Sequence, residues 1–265
     1  SLTIDGQTVS ARELFGLHDH AFVVAMVAMN KGNVFDRKGW SECFYGFGQF
    51  RRSHPDAVLF VHSDAIGAEG ISLRDLARDA GIPSEALAFT DQYAYTMGFS
   101  TEMMAAVYTA ADVLLAASHG EGFCVPVIEA QACGTAVIVS NATAQPELVG
   151  MDAGWLVDGQ RMWDESQLSP AFCPFVDDVT AALELAYKAD LDEMQTACIE
   201  AASHFDADVV FEQYWRPLLD VLAPSTPDAD KPPMTDVAVV VPVMKRPENV
   251  QPLVDSFDRS NDGTA

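Results

Sequence analysis

The longest uninterrupted apolar run, Ala21 to Met29 (AFVVAMVAM), sets the frame for the rest of the chain. A strand buried on both faces of a parallel sheet shows no polar alternation, and this run has that character. Past a polar loop (Asn30-Lys31-Gly32-Asn33, then Arg37-Lys38-Gly39), apolar residues recur at Trp40, Cys43, Phe44, Phe47 and Phe50. That spacing predicts a helix, closed by Arg51-Arg52 at its negative end. Strands are predicted over Ala57 to His62, Leu87 to Thr90, Ala111 to Ala116, Ala136 to Ser140 and Gly154 to Val157. Helices are predicted over Leu73 to Ala80, over Thr101 to Ala110 with Met104, Val107 and Tyr108 inward, and over 177–222 with breaks near Asp190 and Phe205. A short amphipathic piece, Ser10 to Leu17, precedes the first strand, and an aromatic loop carries Tyr93 and Tyr95.

Strand and helix alternate without hairpin signals, which argues for an α/β fold built on a doubly wound parallel sheet of about six strands. Ligands of such sheets bind outside the carboxyl ends of the strands. The loops after Met29, Val61, Phe89 and Ala116 are therefore expected to meet at one crevice. Residues 223–236 (APSTPDADKPPMTD) have linker composition, and a new apolar strand begins at Val237.

Composition narrows the function classes. Among 265 residues the formal charge is -24, which argues against a phosphate-backbone binder and so against nucleic-acid partners. Any nucleotide must be held by a few local cations, helix termini and backbone N–H groups. No run is long and apolar enough for a transmembrane segment, and the start lacks a signal-peptide pattern. The five cysteines are scattered without a C-x-x-C pair, so they read as reduced thiols of a cytoplasmic protein and not as a disulfide or zinc framework. His18, Asp19 and His20 have no further ligand in spacing, so no metal site is expected.

The stretch Ser118 to Gly134 (SHGEGFCVPVIEAQACG) carries the candidate chemistry. It reads as a strand end, a glycine-bearing turn and a short helix with Pro126 in its first turn and Gly134 just past its end. Orphan N–H groups and the helix dipole make such a turn an anion site. Two carboxylates frame it, Glu121 and Glu129. On spacing alone they are equally well a solvated loop acid and a helix acid favoured by the dipole.

The ordered run Glu-Gly-Phe-x-x-Pro-x-x-Glu-Ala-x-Ala-x-Gly-Thr from Glu121 resembles the donor-site signature of the retaining GT-B glycosyltransferases, family 4 and its relatives. Ala110-Ala111-Asp112-Val113 and Pro146-Glu147-Leu148 are similar to the same family. The resemblance covers about 21–222, the Rossmann-like donor-binding half, with 1–20 as a lead-in. It implies that Glu121 holds hydroxyls of a donor hexose, that Glu129 holds the nucleotide ribose, and that the backbone at Gly122, Phe123, Cys124 and Val125 faces sugar and diphosphate. It further implies that Lys38 of the Lys38-Gly39 pair neutralises the diphosphate, making Glu121 and Lys38 the catalytic pair.

Asn30 or Lys31 stands where the family has an Arg, so Lys31 or Arg37 is the expected substitute. Cys124 stands where the family usually has Gly: it is either strained there or a small side chain filling space. His119 either touches the sugar or phosphate or orients the turn. Tyr93 and Tyr95 either pack on the base or cover the core edge.

The implied reaction transfers a hexose from a nucleotide diphosphate sugar to a carbohydrate or other hydroxyl acceptor, with retention. It needs neither metal nor further cofactor, and the acceptor side comes from an N-terminal domain missing from this chain. Alternatives are a non-catalytic nucleotide-sugar-binding module of a multidomain protein and a GT-B-type epimerase or phosphorylase. Residues 237–265, opening Val-Val-Val-Pro-Val-x-x-Arg-Pro-Glu-Asn from Val239, resemble the start of a GT-A domain of the family 2 type; the plainer reading is an extra strand and helix.

Overall fold

The computed structural model describes residues 2–4, 7–31, 36–66, 70–165 and 168–222. The expected linker and the family 2-like segment lie outside the described residues. Along the chain the elements are β1 (Leu2–Ile4), β2 (Gln7–Val9), α1 (Ala11–Leu14), β3 (Phe22–Val27), α2 (Trp40–Arg51), β4 (Ala57–His62) and α3 (Leu73–Asp79). Next come β5 (Leu87–Phe89), α4 (Gln92–Met97), α5 (Thr101–Thr109), β6 (Val113–Ala116), α6 (Val125–Ala132), β7 (Ala136–Ser140) and α7 (Gln145–Leu148). The last are β8 (Gly154–Val157), β9 (Gly159–Asp164), β10 (Ser169–Pro174), α8 (Val176–Lys188), α9 (Leu191–Ser203), α10 (Ala207–Val210) and α11 (Arg216–Leu222). Ser1–Tyr214 form one compact unit; of the second, Trp215–Ala265, the longest described element is α11.

Six parallel strands in the order β5-β4-β3-β6-β7-β8 form the central sheet. Its central strand β3 is apolar throughout because both faces are covered. Phe22, Val24 and Met26 join the aromatic face of α2 and the inner face of α8, whereas Val23 packs with α1 and α5, and Ala25 with Tyr108 and Val127. The lead-in belongs to this unit. Ala11 and Leu17 are buried, and Arg12 bonds the Ala21 carbonyl at 3.0 Å and Asp112 Oδ2 at 2.7 Å. The order of strands reverses between β3 and β6, whose carboxyl ends diverge there into a crevice.

Helix α4, the short helix α7 and two hairpins depart from the sequence expectation. The aromatic loop is helix α4: Asp91 Oδ1 caps the N–H of Ala94 at 2.8 Å and Gly98 stops it at φ +88°. Two antiparallel hairpins, β1–β2 and β9–β10, flank the parallel sheet. The second was hidden by Pro170 and Pro174, which a two-stranded ribbon tolerates because each strand has an open edge.

Gly39 fixes the entry to α2. It has φ +66°, and a Cβ there would stand 2.2 Å from the carbonyl oxygen of Ala117 beyond β6. Gly39→Ala should therefore cost about 2–4 kcal/mol through strain and the shift needed to clear a backbone oxygen. Urea denaturation checks this; a loss below ~1 kcal/mol would mean that the α2 entry and the β6 exit are not in fixed contact.

Candidate functional site

The crevice holds about 300 Å³ and is lined by the ends of β3 (Met26, Val27), β4 (His62) and β6 (Leu115, Ala116) and by Tyr95 of α4. Lys38, Glu121, Cys124 and Pro126 close its polar side. The loops after Met29, Val61 and Ala116 thus meet as the switch-point rule requires, and helix α4 supplies the side expected from the loop after Phe89. His62 is packed between Tyr95 and Phe99, with ring centroids 5.1 and 4.7 Å away, and its Nδ1 lies 3.2 Å from Thr90 Oγ1. Burial pushes its pKa down to about 4, so it is neutral at pH 7.

The turn 118–124 is held from beneath. Ser140 Oγ donates to the Ser118 carbonyl at 2.7 Å, and Gln145 Nε2 donates to the Ala116 carbonyl at 2.6 Å. Thr143 Oγ1 accepts from the N–H of Glu121 at 3.2 Å. Neither Gln145 nor Thr143 was marked by the sequence, because their contacts span more than twenty residues. Helix α6 ends as expected. Gly134 is at φ +81°, its N–H bonds the Gln131 carbonyl, and Thr135 N–H bonds the Ala130 carbonyl at 2.9 Å.

Cys124, the residue before α6, has φ +89° and ψ +66°, a left-handed conformation that costs a non-glycine residue about 1–2 kcal/mol. Its side chain also packs with the inner face of α6, and its Sγ lies 3.7 Å from Gln145 Nε2. Both readings of this residue hold together: it is strained and it fills space. Among the described residues no hydrogen bond uses the N–H groups of Phe123, Cys124 or Val125. These are the orphan donors of a helix start.

Charge gathers at one point. Glu121 Oε1 lies 2.6 Å from Lys38 Nζ and Glu121 Oε2 lies 3.0 Å from Arg37 Nη1. Arg37 also donates to the Gly120 carbonyl at 3.0 Å. Two cations against one carboxylate leave one positive charge beside the open N–H groups of α6. Glu129, one helical turn in, accepts from the buried Tyr108 hydroxyl at 2.5 Å. Burial and the Glu129 charge hold that phenol well above its ordinary pKa, so it remains a donor.

Other expected residues are placed differently. Asn30 is buried and its amide is spent on backbone: Nδ2 donates to the carbonyls of Asp64 and Ile71 at 2.8 and 2.7 Å, and Oδ1 accepts from Ile71 N–H at 3.1 Å. It staples the chain after β4 instead of facing the crevice. Lys31 is exposed, and Arg37 is the residue that joins Lys38. His119 is buried, with Nε2 3.0 Å from Glu42 Oε2, its N–H on the Arg37 carbonyl and its own carbonyl bonded by Phe172 N–H of β10. It orients the turn. Gly122, Phe123 and Val125 lie at the surface, and Phe123 packs edge-on against Phe205 at 5.6 Å. Tyr93 is exposed on α4.

Behind Glu121 lies a second, polar hollow of about 370 Å³, walled by Arg37, His119, Thr143 and, from the β9–β10 hairpin, Asp164 and Ser169. Glu121 lines both spaces. No helix among the described residues is long and apolar enough to cross a membrane.

Comparison with known proteins adds to this geometry. Residues 30–167 match the family model described as Glycosyl transferases group 1. Over 154 residues the chain is 32% identical to the D-inositol 3-phosphate glycosyltransferase of Segniliparus rotundus, covering 58% of this chain and 32% of that protein. Over 157 residues it is 28% identical to the GDP-mannose-dependent alpha-(1-6)-phosphatidylinositol monomannoside mannosyltransferase of Mycolicibacterium smegmatis, covering 56% and 37%. The chain spans about a third of the length of the curated relatives it matches. In fold it is similar to a glycosyltransferase of Rickettsia africae, with TM-score 0.59 at 14% identity over 81% of this chain and 51% of the other. It is likewise similar to Anabaena HepE in complex with UDP and glucose, with TM-score 0.57 at 18% identity over 78% and 50%.

Two expectations follow from the site. Cys124→Gly and Cys124→Ala both remove the thiol, but only the glycine sheds the left-handed strain. The glycine variant should be more stable by about 0.5–1.5 kcal/mol in denaturant titration, and the reverse order would show that this backbone carries no strain. His62 has a folded pKa of about 4, below its unfolded value of roughly 6.5, so its contribution is complete above that value and is lost as pH falls toward 4. Melting temperatures of wild type and His62→Gln between pH 7 and 4.5 should diverge at neutral pH and converge in acid; parallel curves would show that His62 charges without cost.

Proposed function

Because the chain belongs to the glycosyl transferases group 1 family, we propose that it is the donor-binding half of a retaining, family 4-type hexosyltransferase acting on a nucleotide diphosphate sugar. The observation that carries this reading is the Arg37–Glu121–Lys38 trio beside the open N–H groups of α6 at the switch point of the sheet. The nucleoside occupies the apolar crevice with its ribose hydroxyls on Glu129, whose carboxylate is oriented by the Tyr108 hydroxyl. The diphosphate lies against Lys38, Arg37 and the N–H groups of Phe123, Cys124 and Val125. The hexose enters the polar hollow, where Glu121 accepts its hydroxyls.

In the reaction the bond from the anomeric carbon to the diphosphate oxygen breaks first, leaving an oxocarbenium-like sugar and a more negative leaving group. The cations and N–H groups stabilise that charge where it develops, so no metal is called on at the diphosphate. Lys38 is a point charge, whereas Arg37 presents a fork and can hold two oxygens. The acceptor hydroxyl attacks the face the leaving group departs from, its O–H bond breaking as the new C–O bond forms and its proton passing to the departing diphosphate oxygen. Its binding surface is assigned to the part of the relatives' length that this chain does not span.

A two-by-two titration tests the division of labour between the acids. Glu129→Ala should weaken a free nucleoside diphosphate and its sugar conjugate alike, by about 1.5–3 kcal/mol or roughly ten- to a hundredfold. Glu121→Ala should weaken only the conjugate and leave the free diphosphate bound at least as tightly, since it releases two cations. Adding Mg²⁺ should change none of these affinities. Equal losses for both ligands in both variants, or a Mg²⁺-dependent gain, would overturn the assignment.

A further inference from the structure

The turn that carries Glu121 is tied to its surroundings by a cluster of three side chains, Glu42, His119 and Cys173. We propose that Glu42, His119 and Cys173 form a structural site for Zn²⁺ that locks the turn before Glu121 to helix α2 and strand β10. The site goes beyond the transferase reading and does not depend on it.

The geometry supports this on three counts. The donor set is imidazole nitrogen, thiol sulfur and carboxylate oxygen, the ligand types that zinc takes. One comes from α2, one from the loop after β6 and one from β10, so their meeting is a product of the tertiary fold. Their spacing suits one ion. His119 Nε2 lies 3.0 Å from Glu42 Oε2, Cys173 Sγ lies 3.3 Å from Glu42 Oε1, and a ligand atom of each falls within 4.8 Å of the others. Tetrahedral zinc with bonds of about 2.0–2.3 Å separates its ligands by roughly 3.3–3.8 Å, so small side-chain movements complete the shell. His119 is buried and the other two are half-buried, which shields the site yet leaves it a way in.

A fourth group stands nearby. Asp36 Oδ2 caps α2 at Ser41 N–H, 2.7 Å away, whereas Asp36 Oδ1 is buried and has no hydrogen-bond partner among the described residues. It lies outside the trio whose ligand atoms fall within 4.8 Å of one another, so a water would take the fourth position. Without metal the Cys173 thiol donates to Glu42. On binding, the S–H bond breaks, a metal–thiolate bond forms and one proton leaves to solvent. Thiolate and carboxylate then neutralise the ion. The consequence is mechanical: because His119 also bonds the Arg37 backbone and Phe172, one ion would anchor the loops bearing Arg37 and Glu121 together.

The test is metal content and metal spectroscopy on the whole chain, with zinc and cobalt as probes. After gel filtration in a weak chelator, elemental analysis should find about one zinc per chain. Cobalt substitution should give a thiolate-to-cobalt charge-transfer band in the near ultraviolet. Cys173→Ser should abolish the band and weaken zinc binding by roughly tenfold or more, whereas Cys133→Ser should leave both unchanged. If wild-type protein takes up neither zinc nor cobalt, or if Cys173→Ser keeps the band, the trio is only a hydrogen-bonded cluster and the proposal falls. Titration of nucleoside diphosphate is a separate reading, so loss of the metal site leaves the donor-site assignment standing.

Discussion

The carboxylate of Glu121, gripped by Lys38 on one oxygen and Arg37 on the other, is the interaction on which the site's organisation depends. A chain with a formal charge of -24 has few cations to spare, and two of them are drawn to one point. An exposed ion pair is worth little, but the Glu121 side chain is only 10% exposed, so neither partner can be lost without leaving charge poorly solvated. The trio also orders the two loops that bear it. The anion-binding potential of the α6 start is thereby assembled before any ligand arrives, so less ordering is left for binding to supply.

The sheet makes that meeting possible. Burial on both faces of β3 fixes the direction of its carboxyl end, and the parallel pairing with β6 brings the two following loops to the same side. Gly39 lets α2 start almost in contact with the Ala117 carbonyl, which holds Lys38 at the β6 exit. The strain at Cys124 is borne next to the N–H groups it exposes, a common arrangement where backbone must approach a ligand. Gln145, Ser140 and Thr143 brace the turn from the β7 side.

Much of this was legible in the chain. The strands Ala57–His62, Ala136–Ser140 and Gly154–Val157 have the bounds that their apolar runs indicate; β7 is buried at every position, whereas the edge strand β8 leaves Leu156 exposed. The aromatic stripe of α2 and the stop at Gly134 followed from local rules of spacing and capping. Helix α4 was obscured because its capping signals, Asp91 and Gly98, enclose residues that are half-exposed or exposed and show no apolar stripe. The β9–β10 hairpin was obscured by its prolines.

The sequence by itself determined the alternation of elements, the turn and helix that present Glu121 and Glu129, and the pairing of a Lys with a Gly ahead of α2. Those are local properties, set by periodicity, capping and backbone preference within a few residues. Only the tertiary structure decided that Arg37 and not Lys31 joins Lys38, that Asn30 spends its amide on the backbone, and that Glu42, His119 and Cys173 meet. Each of those outcomes joins side chains to groups tens of residues away in sequence. Their distances are set by how helices and loops pack on the sheet, and no local pattern encodes that.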